Sequence, residues 1–262
     1  MNNHLYFLLV EIKATFFERT YFSRKGFKFI RRFFLRYLSN YLDSFRYYLN
    51  RNKINLKINS LKEDQLIKNG YKILSDISLN DLSFLKINKN ENKDIASNAN
   101  TIVNMSDAEN FARIRSFHAI AKEYLKEEKC NFFVHSWNTK VFYDPDKVKT
   151  TQWHRDRDGY KVLKFFIYLT DVDDDSGPHE YAIKSHLIKP FRFTPQIRYK
   201  DFEVKNYFDV VKINGKAGTC FVADTTGLHK GTAPIKNGRS IIVFNYYTGS
   251  IIWDQESLLI NL

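Results

Sequence analysis

Two histidines and one carboxylate give this chain its clearest chemical potential. His154 and Asp156 are two residues apart, so an extended backbone places both side chains on one face. His229, which follows the apolar run 219–223, is the best candidate for a further ligand. Two histidines and one carboxylate can form the facial triad that holds Fe(II) and leaves three positions open. Asp158 shares the alternation of Asp156 and remains an alternative as the carboxylate ligand.

One arginine is spaced to serve such a centre. Arg239 follows His229 by ten residues, across a turn marked by Pro234 and by Asn237-Gly238. A hairpin of that length would return the chain to the neighbourhood of the metal. Because a planar guanidinium can bind a carboxylate through two hydrogen bonds, Arg239 is predicted to hold the distal carboxylate of 2-oxoglutarate. The keto acid at the other end of this co-substrate would chelate the iron.

Further motifs accompany these residues in a fixed order. Together they resemble the phytanoyl-CoA dioxygenase family. The resemblance extends over about residues 62–250 and leaves residues 1–57 outside. The segments that carry it are Asn69–Leu74, Trp153–Asp156, Tyr168–Asp173, Gly177–Tyr181, Ser185-His186 and Asp224–Arg239.

The resemblance implies a double-stranded β-helix core, which is a jelly-roll or cupin-like fold, and a requirement for Fe(II), 2-oxoglutarate and O₂. It assigns His154, Asp156 and His229 to the metal, and Arg239, Asn138 and Thr170 to the co-substrate. Family members that halogenate have a small residue at the carboxylate position, so Asp156 favours hydroxylation. Lys184 departs from the pattern, because relatives often have glycine before the Ser-His pair.

The expected reaction is hydroxylation of a small organic or carrier-linked substrate, with release of succinate and CO₂. Two other classes stay open. A non-catalytic jelly-roll protein could keep the metal residues and act as a binding or scaffold subunit, but it would have no chemical need for all four residues. A cupin-type hydrolase or isomerase would use three histidines or zinc, and the spacing of Arg239 would then be unexplained.

The other polar residues of this region have simpler interpretations. His179 and His186 each follow a turn signal, which favours a structural role or support of the ligands. His135 lies on an apparent strand, where it is expected to line the core or the pocket. Arg155 and Arg157 alternate with the ligands, so their side chains are expected to face outward, and guidance of an anionic substrate is the alternative.

Helical patterns precede residue 130. A short helix is predicted from Glu63 to about Gly70, followed by a strand at Tyr71–Leu74. Apolar spacing predicts one long helix over Ser106–Glu128, in which Ser106 and Glu109 would form a capping box. The segment Asn88–Asn100 is predicted to be a polar loop.

Strand patterns dominate after residue 130. Runs rich in Phe, Val, Ile and Tyr alternate with Pro- and Gly-containing turn signals. The predicted strands are Asn131–Tyr143, Val162–Leu169, Glu180–Ile183, Val210–Ile213, Thr219–Ala223 and Arg239–Tyr247. We therefore predict a mainly β protein with flanking helices.

The first 57 residues differ in character from the rest. They carry twelve Lys or Arg against three acidic residues, a net charge of +9 out of +12 for the chain. Aromatic and leucine residues recur there at helical spacing, which predicts a basic amphipathic helix. We expect a helical extension at 1–57 and a dioxygenase domain at 58–262. The helix would dock on that domain, or contact a membrane surface or a partner protein.

Composition narrows the setting of the protein. No nucleic-acid-binding motif accompanies the basic charge, so no nucleic-acid partner is expected. No apolar run reaches the roughly 18–20 residues that a membrane-spanning helix needs. Cys130 and Cys220, the two cysteines, lie in apolar runs and are expected to be buried thiols. A cytoplasmic protein is expected, with the inner face of a membrane as a peripheral alternative.

Overall fold

The computed structural model describes residues 64–82, 97–102, 105–141, 151–156, 161–187, 198–248 and 258–262. The basic segment 1–57, with its predicted helix, lies outside the described residues. Within these ranges the helices are α1 (Gln65–Asn69), α2 (Met105–Glu109), α3 (Ile114–Leu125) and α4 (Asp201–Lys205). The strands are β1 (Tyr71–Ile73), β2 (Ser97–Ile102), β3 (Lys129–Thr139), β4 (Val162–Tyr168), β5 (His179–Ala182), β6 (Val210–Ile213), β7 (Cys220–Asp224), β8 (His229–Gly231), β9 (Arg239–Tyr247) and β10 (Leu258–Asn261). No helix in these ranges is long and apolar enough to cross a bilayer.

Two antiparallel sheets form the architecture of the described residues. The major sheet has the strand order β1-β7-β4-β9-β3, and β10 and β2 pair with successive parts of the remaining edge of β3. The minor sheet has the order β6-β5-β8. This arrangement confirms the predicted mainly β, double-stranded β-helix core with flanking helices.

Strand β4 shows how the major sheet separates two cores. Because side chains alternate along a strand, Leu163, Phe165 and Ile167 face the helical layer, where the ring of Phe117 in α3 stacks on Phe165 at 4.2 Å between centroids. The alternate residues Phe166 and Tyr168 face the minor sheet and pack in a second core with Tyr181 and Ile213. We call this second side the interior face of the major sheet.

Gly70 ends α1 and allows the chain to enter β1. Its backbone has a φ of 87°, in the left-handed region that glycine adopts most readily, and its N–H donates to Leu66. A Cβ atom at this position would collide with the side chains of Tyr181 and His186. The predicted helix end at Gly70 is therefore confirmed, and glycine is required there both by the backbone and by its neighbours.

The predicted long helix is two helices, since α2 ends at Glu109 and α3 begins at Ile114. Between them the hydrogen bonds tighten, with the N–H of Phe111 donating to Ala108 and the N–H of Ile114 donating to Phe111. The turn buries Phe111, whose ring stacks on Phe244 of β9 at 5.4 Å. Burial of this ring against the sheet outweighs the local preference for a continuous helix.

The predicted strands were close to the observed ones, but β2, β8 and β10 were not predicted. The bounds of β6 and β9 are as predicted, and those of β4, β5 and β7 differ by one residue at one or both ends. β3 begins two residues earlier and ends four residues earlier than predicted. β2 begins inside the predicted loop, because Ser97–Ile102 is held by pairing with β3 and has no apolar alternation of its own.

Candidate metal centre

The two histidine segments are held together by backbone hydrogen bonds. The N–H of His154 donates to the carbonyl of His229 and the N–H of His229 donates to that of His154, both at 3.0 Å. The N–H of Asp156 donates to the carbonyl of Thr225 at 2.8 Å. The His-x-Asp segment thus extends the minor sheet beside β8, although it is too short to form a regular strand. This pairing fixes the three side chains relative to one another.

The side chains converge on one point. His154 Nε2 lies 3.8 Å from Asp156 Oδ1, and His229 Nε2 lies 3.6 Å from Asp156 Oδ2. The potential ligand atoms of all three residues lie within 4.8 Å of one another. We call this group the triad. Asp158, the alternative carboxylate, lies outside the described residues.

The electrostatics of the triad suit a divalent cation. His154 Nδ1 lies 2.8 Å from the carbonyl of Gln152, and His229 Nδ1 lies 3.0 Å from that of Gly227. Protons held on both Nδ1 atoms leave the Nε2 lone pairs directed at the common point. Burial lowers the pKa of both histidines, so the rings are neutral at physiological pH. Burial alone would raise the pKa of Asp156, but the ammonium of Lys164 lowers it well below its ordinary value, so Asp156 is a carboxylate.

Lys164 is a site residue that sequence reasoning missed. It lies on the interior face of β4, and its Nζ is 2.8 Å from Asp156 Oδ2. The side chains of Lys164 and Asp156 are only 11% and 14% exposed. The signal in the sequence was a single lysine within an otherwise apolar strand, Val162–Tyr168, since a buried lysine requires a partner.

His135 and Asn245 form a second polar pair on the interior face. The amide Nδ2 of Asn245 lies 3.0 Å from His135 Nδ1 and 3.1 Å from the carbonyl of Phe133. Because the amide donates, the proton of the neutral imidazole is placed on Nε2. Burial, reinforced by the charge of Lys164, lowers the pKa of His135 to about 3. The interpretation of His135 as a core or pocket-lining residue agrees with this position.

Arg239 begins β9 and points into the interior. It is 8% exposed, and its guanidinium donates to the carbonyl of Gly177 and covers Gly231 of β8. Among the described residues its Nε has no hydrogen-bond partner and no carboxylate pairs with its guanidinium. Burial lowers the pKa of Arg239. A buried guanidinium without an acidic partner is suited to an anionic ligand.

The other two predicted co-substrate contacts are placed differently. Asn138 is paired with Ser240 in the β3–β9 register, whereas Thr139 is paired with Arg239. Since paired residues share a face and successive residues alternate, Asn138 lies on the opposite face of the sheet from Arg239. The register therefore does not bring Asn138 together with Arg239. The hydroxyl of Thr170 accepts a hydrogen bond from the N–H of Ser240 at 3.1 Å, beside the backbone of Arg239.

Comparison with protein families places the chain. Residues 27–237 match the model of the family described as Phytanoyl-CoA dioxygenase (PhyH). The chain belongs to this family. The match begins within the basic N-terminal segment, earlier than the motifs alone indicated. Members of the family are Fe(II)- and 2-oxoglutarate-dependent oxygenases, so this phytanoyl-CoA dioxygenase family member is an enzyme that uses both.

Solved structures agree with the fold of the family. The non-haem monooxygenase ThoJ matches with a TM-score of 0.51 at 15% identity, over 75% of this chain and 82% of that one. EvdO2 from Micromonospora carbonacea var. aurantiaca matches with a TM-score of 0.51 at 14% identity, over 73% and 92%. The same protein complexed with 2-oxoglutarate gives 0.50 at 16% identity, over 73% and 92%. Likeness at these identities shows the fold alone. No curated protein sequence matches the chain significantly.

Around the triad of this family member, Arg155 has a structural role that contradicts its predicted outward orientation. It is 6% exposed and donates to the carbonyls of Ser185 at 3.0 Å and Thr226 at 2.7 Å. These carbonyls belong to two separate segments of the chain, so the guanidinium fastens the His-x-Asp segment to both. His186 is also structural, since its Nε2 lies 3.0 Å from the carbonyl of Ile67.

A charged network connects the residues that flank the two histidines. Trp153 precedes His154, and its Nε1 donates to Asp201 Oδ1 at 2.9 Å. Lys230 follows His229, and its Nζ donates to the same oxygen at 2.6 Å. The Lys230 ammonium also lies 5.3 Å from the centre of the Trp153 ring. Asp201 therefore stabilises both ligand segments from outside the metal centre.

Proposed function

We propose that the chain is a hydroxylase in which His154, Asp156 and His229 hold Fe(II) and Arg239 holds the distal carboxylate of 2-oxoglutarate. The substrate is a small organic or carrier-linked molecule, and the co-substrate is released as succinate and CO₂. The observation that carries the proposal is the convergence of two neutral imidazoles and one carboxylate within 4.8 Å, on the same interior as the buried guanidinium of Arg239.

The donor set suits Fe(II) and differs from that of a structural zinc site. Two histidine nitrogens and one carboxylate oxygen leave half of an octahedral coordination sphere for other ligands, whereas structural zinc sites are closed by four protein ligands. The two Nδ1 contacts to backbone carbonyls hold the imidazole rings in place before metal arrives. When bound, the metal and the keto acid together supply the activation of O₂.

The surroundings of Arg239 support its assignment to the co-substrate. The guanidinium is buried on the interior face with a free Nε and without an acidic partner among the described residues. A dicarboxylate would satisfy this charge at one end while its other end reached the triad. Thr170 would contribute by holding the backbone next to Arg239 and not by contact with the ligand.

The residue types near the triad support hydroxylation of an organic substrate. Asp156 occupies a coordination position that halogenation would need for halide, so the carboxylate favours hydroxyl transfer. Next to the triad, the interior face combines the polar groups of His135, Lys164 and Asn245 with the apolar residues Phe133 and Val162. Such a mixture can orient a molecule that has both polar groups and C–H bonds.

Anaerobic spectroscopy tests the proposal. Fe(II) is added to the purified protein, and 2-oxoglutarate is titrated while the visible spectrum is recorded. We expect a weak metal-to-ligand charge-transfer band that is absent in His154→Ala and needs more 2-oxoglutarate in Arg239→Ala. Succinate formed on exposure to O₂ would then be measured with and without candidate substrates. A folded, iron-loaded protein that shows no band would contradict the proposal and favour a binding or scaffold role.

A further inference from the structure

His179 lies between the triad and Arg239. It is on β5, where the register pairs it with Gly231, the residue that the guanidinium of Arg239 covers. Its ring is nearly parallel to that of His229, at 5.5 Å and 15°. On its other sides it contacts the rings of Phe166 at 4.8 Å and Phe221 at 5.3 Å. His179 therefore lies along the line that a ligand joining the triad to Arg239 would follow.

Two buried nitrogen atoms in this space have no hydrogen-bond partner among the described residues. One is Nε2 of His179, a residue that is 6% exposed, and the other is Nε of Arg239. The nearby hydroxyl of Tyr168 already donates to the carbonyl of Ile213 at 2.6 Å and accepts from the N–H of His179 at 3.2 Å. Phe166 and Phe221 offer no acceptor, so a ligand with acceptor atoms would satisfy Arg239 Nε, and also His179 Nε2 when that nitrogen carries the proton.

A carboxylate can accept hydrogen bonds from both groups at once. Each of its oxygens offers two lone pairs, so one carboxylate can accept from an imidazole N–H and from a guanidinium together.

We propose that His179 is a co-substrate-binding residue, which donates its Nε2–H to the same distal carboxylate of 2-oxoglutarate that Arg239 holds. This inference rests on the proposed function. The β5–β8 register supports the distal end over the chelating end. His179 is opposite Gly231, beneath the guanidinium, whereas His229 is opposite Tyr181, two residue pairs further along. A side chain at position 231 would crowd Arg239, since a Cβ there would lie 2.6 Å from Nη2, so glycine at this position leaves room for the guanidinium above His179.

Affinity for two keto acids tests the assignment. The Mn(II)-loaded full chain would be titrated by calorimetry with 2-oxoglutarate and with 2-oxobutyrate, which lacks the distal carboxylate. His179→Leu removes the donor while keeping an apolar volume, and His179→Gln restores an N–H donor. We expect the leucine variant to bind 2-oxoglutarate about 10- to 100-fold more weakly, as for loss of a hydrogen bond to a charged group. Its affinity for 2-oxobutyrate should be unchanged, and the glutamine variant should bind 2-oxoglutarate nearly as the original chain does.

Other outcomes distinguish a failure of this inference from a failure of the proposed function. Unchanged 2-oxoglutarate affinity in His179→Leu would overturn the inference and leave the proposed function intact. Equally weakened binding of 2-oxoglutarate and 2-oxobutyrate would also overturn the inference, because the contact would then be at the chelating end. A matching loss of Mn(II) affinity or of thermal stability would make His179 a support for His229 instead. If the original chain binds no 2-oxoglutarate with Mn(II) or Fe(II), the proposed function itself fails.

Discussion

Replacement of Lys164 by methionine should lower the thermal stability of the metal-free protein and raise its affinity for the metal. Methionine keeps the apolar stem of the side chain but removes the ammonium that lies 2.8 Å from Asp156 Oδ2. Both side chains are largely buried, so water cannot replace the lost charge. In the metal-free state Asp156 would then be a buried carboxylate next to two neutral imidazoles.

The size of the effect follows from the burial of the pair. Removal of one partner of a buried ion pair costs about 3–5 kcal/mol. For a domain of this size each kcal/mol lowers the melting temperature by roughly 2–4 °C, so the metal-free variant should melt about 6–20 °C lower. A divalent cation supplies the missing positive charge. If it recovers about 3 kcal/mol, the variant must bind the metal about a hundredfold more tightly.

The assay is a pair of thermal melts, metal-free and saturated with Mn(II), together with Mn(II) calorimetry. Lys164→Arg keeps the charge, so its melting temperatures and its Mn(II) affinity should stay near those of the original chain. Lys236→Met is a matched control, because Lys236 forms an ion pair of 2.6 Å with Asp175 but is 70% exposed, and it should change neither quantity. Weaker Mn(II) binding by Lys164→Met would refute the reasoning, since Lys164 would then act mainly by orienting the Asp156 ligand.

Three further changes test the surroundings of the centre. The pKa of His135 is about 3 in the folded protein against 6.5 ordinarily, so the folded state binds fewer protons and this histidine reduces stability as pH falls from 6.5 toward 3, by about 1.4 kcal/mol per unit. His135→Gln should remove that share of the slope in acid melts of the metal-free protein, and an unchanged slope would contradict it. Asp201→Ala should lower stability by about 1–3 kcal/mol, because Lys230 and the indole of Trp153 lose their shared acceptor, and it should also weaken Mn(II) binding in calorimetry. Phe117→Ala should cost about 3–5 kcal/mol in chemical unfolding with no change in Mn(II) affinity, and a changed affinity would show that the helical core and the centre are coupled.

The apolar strands and the order of the chemical motifs were readable from the sequence. The runs that became β6 and β9 are bounded by turn residues, so their limits could be placed by inspection. Alternation placed His154 and Asp156 on one face, and the structure brings His229 to them.

What the sequence could not provide were contacts between distant segments. Arg155 alternates as an outward residue, but two distant loop carbonyls bury it. Asn138 is adjacent in sequence to a residue paired with Arg239, yet only the register reveals which face it occupies. Lys164 was overlooked because its partner, Asp156, comes from another segment of the chain. In each case the position of the side chain is decided by a contact between residues far apart in the sequence, which local patterns do not encode.

The reciprocal backbone bridge between His154 and His229 has a consequence for how the molecule opens. These residues are separated by most of the catalytic region, including β4, β5, β6 and β7, and the bridge contains only two hydrogen bonds. A metal bound to both imidazoles would fasten the two ends of that long stretch to each other and convert it into a closed loop. Closing a long loop removes much of the conformational freedom of the unfolded chain. The bound metal should therefore raise the stability of the whole β core between the two histidines. Amide hydrogen exchange should therefore slow on metal loading even in β5 and β6, which provide no metal ligand.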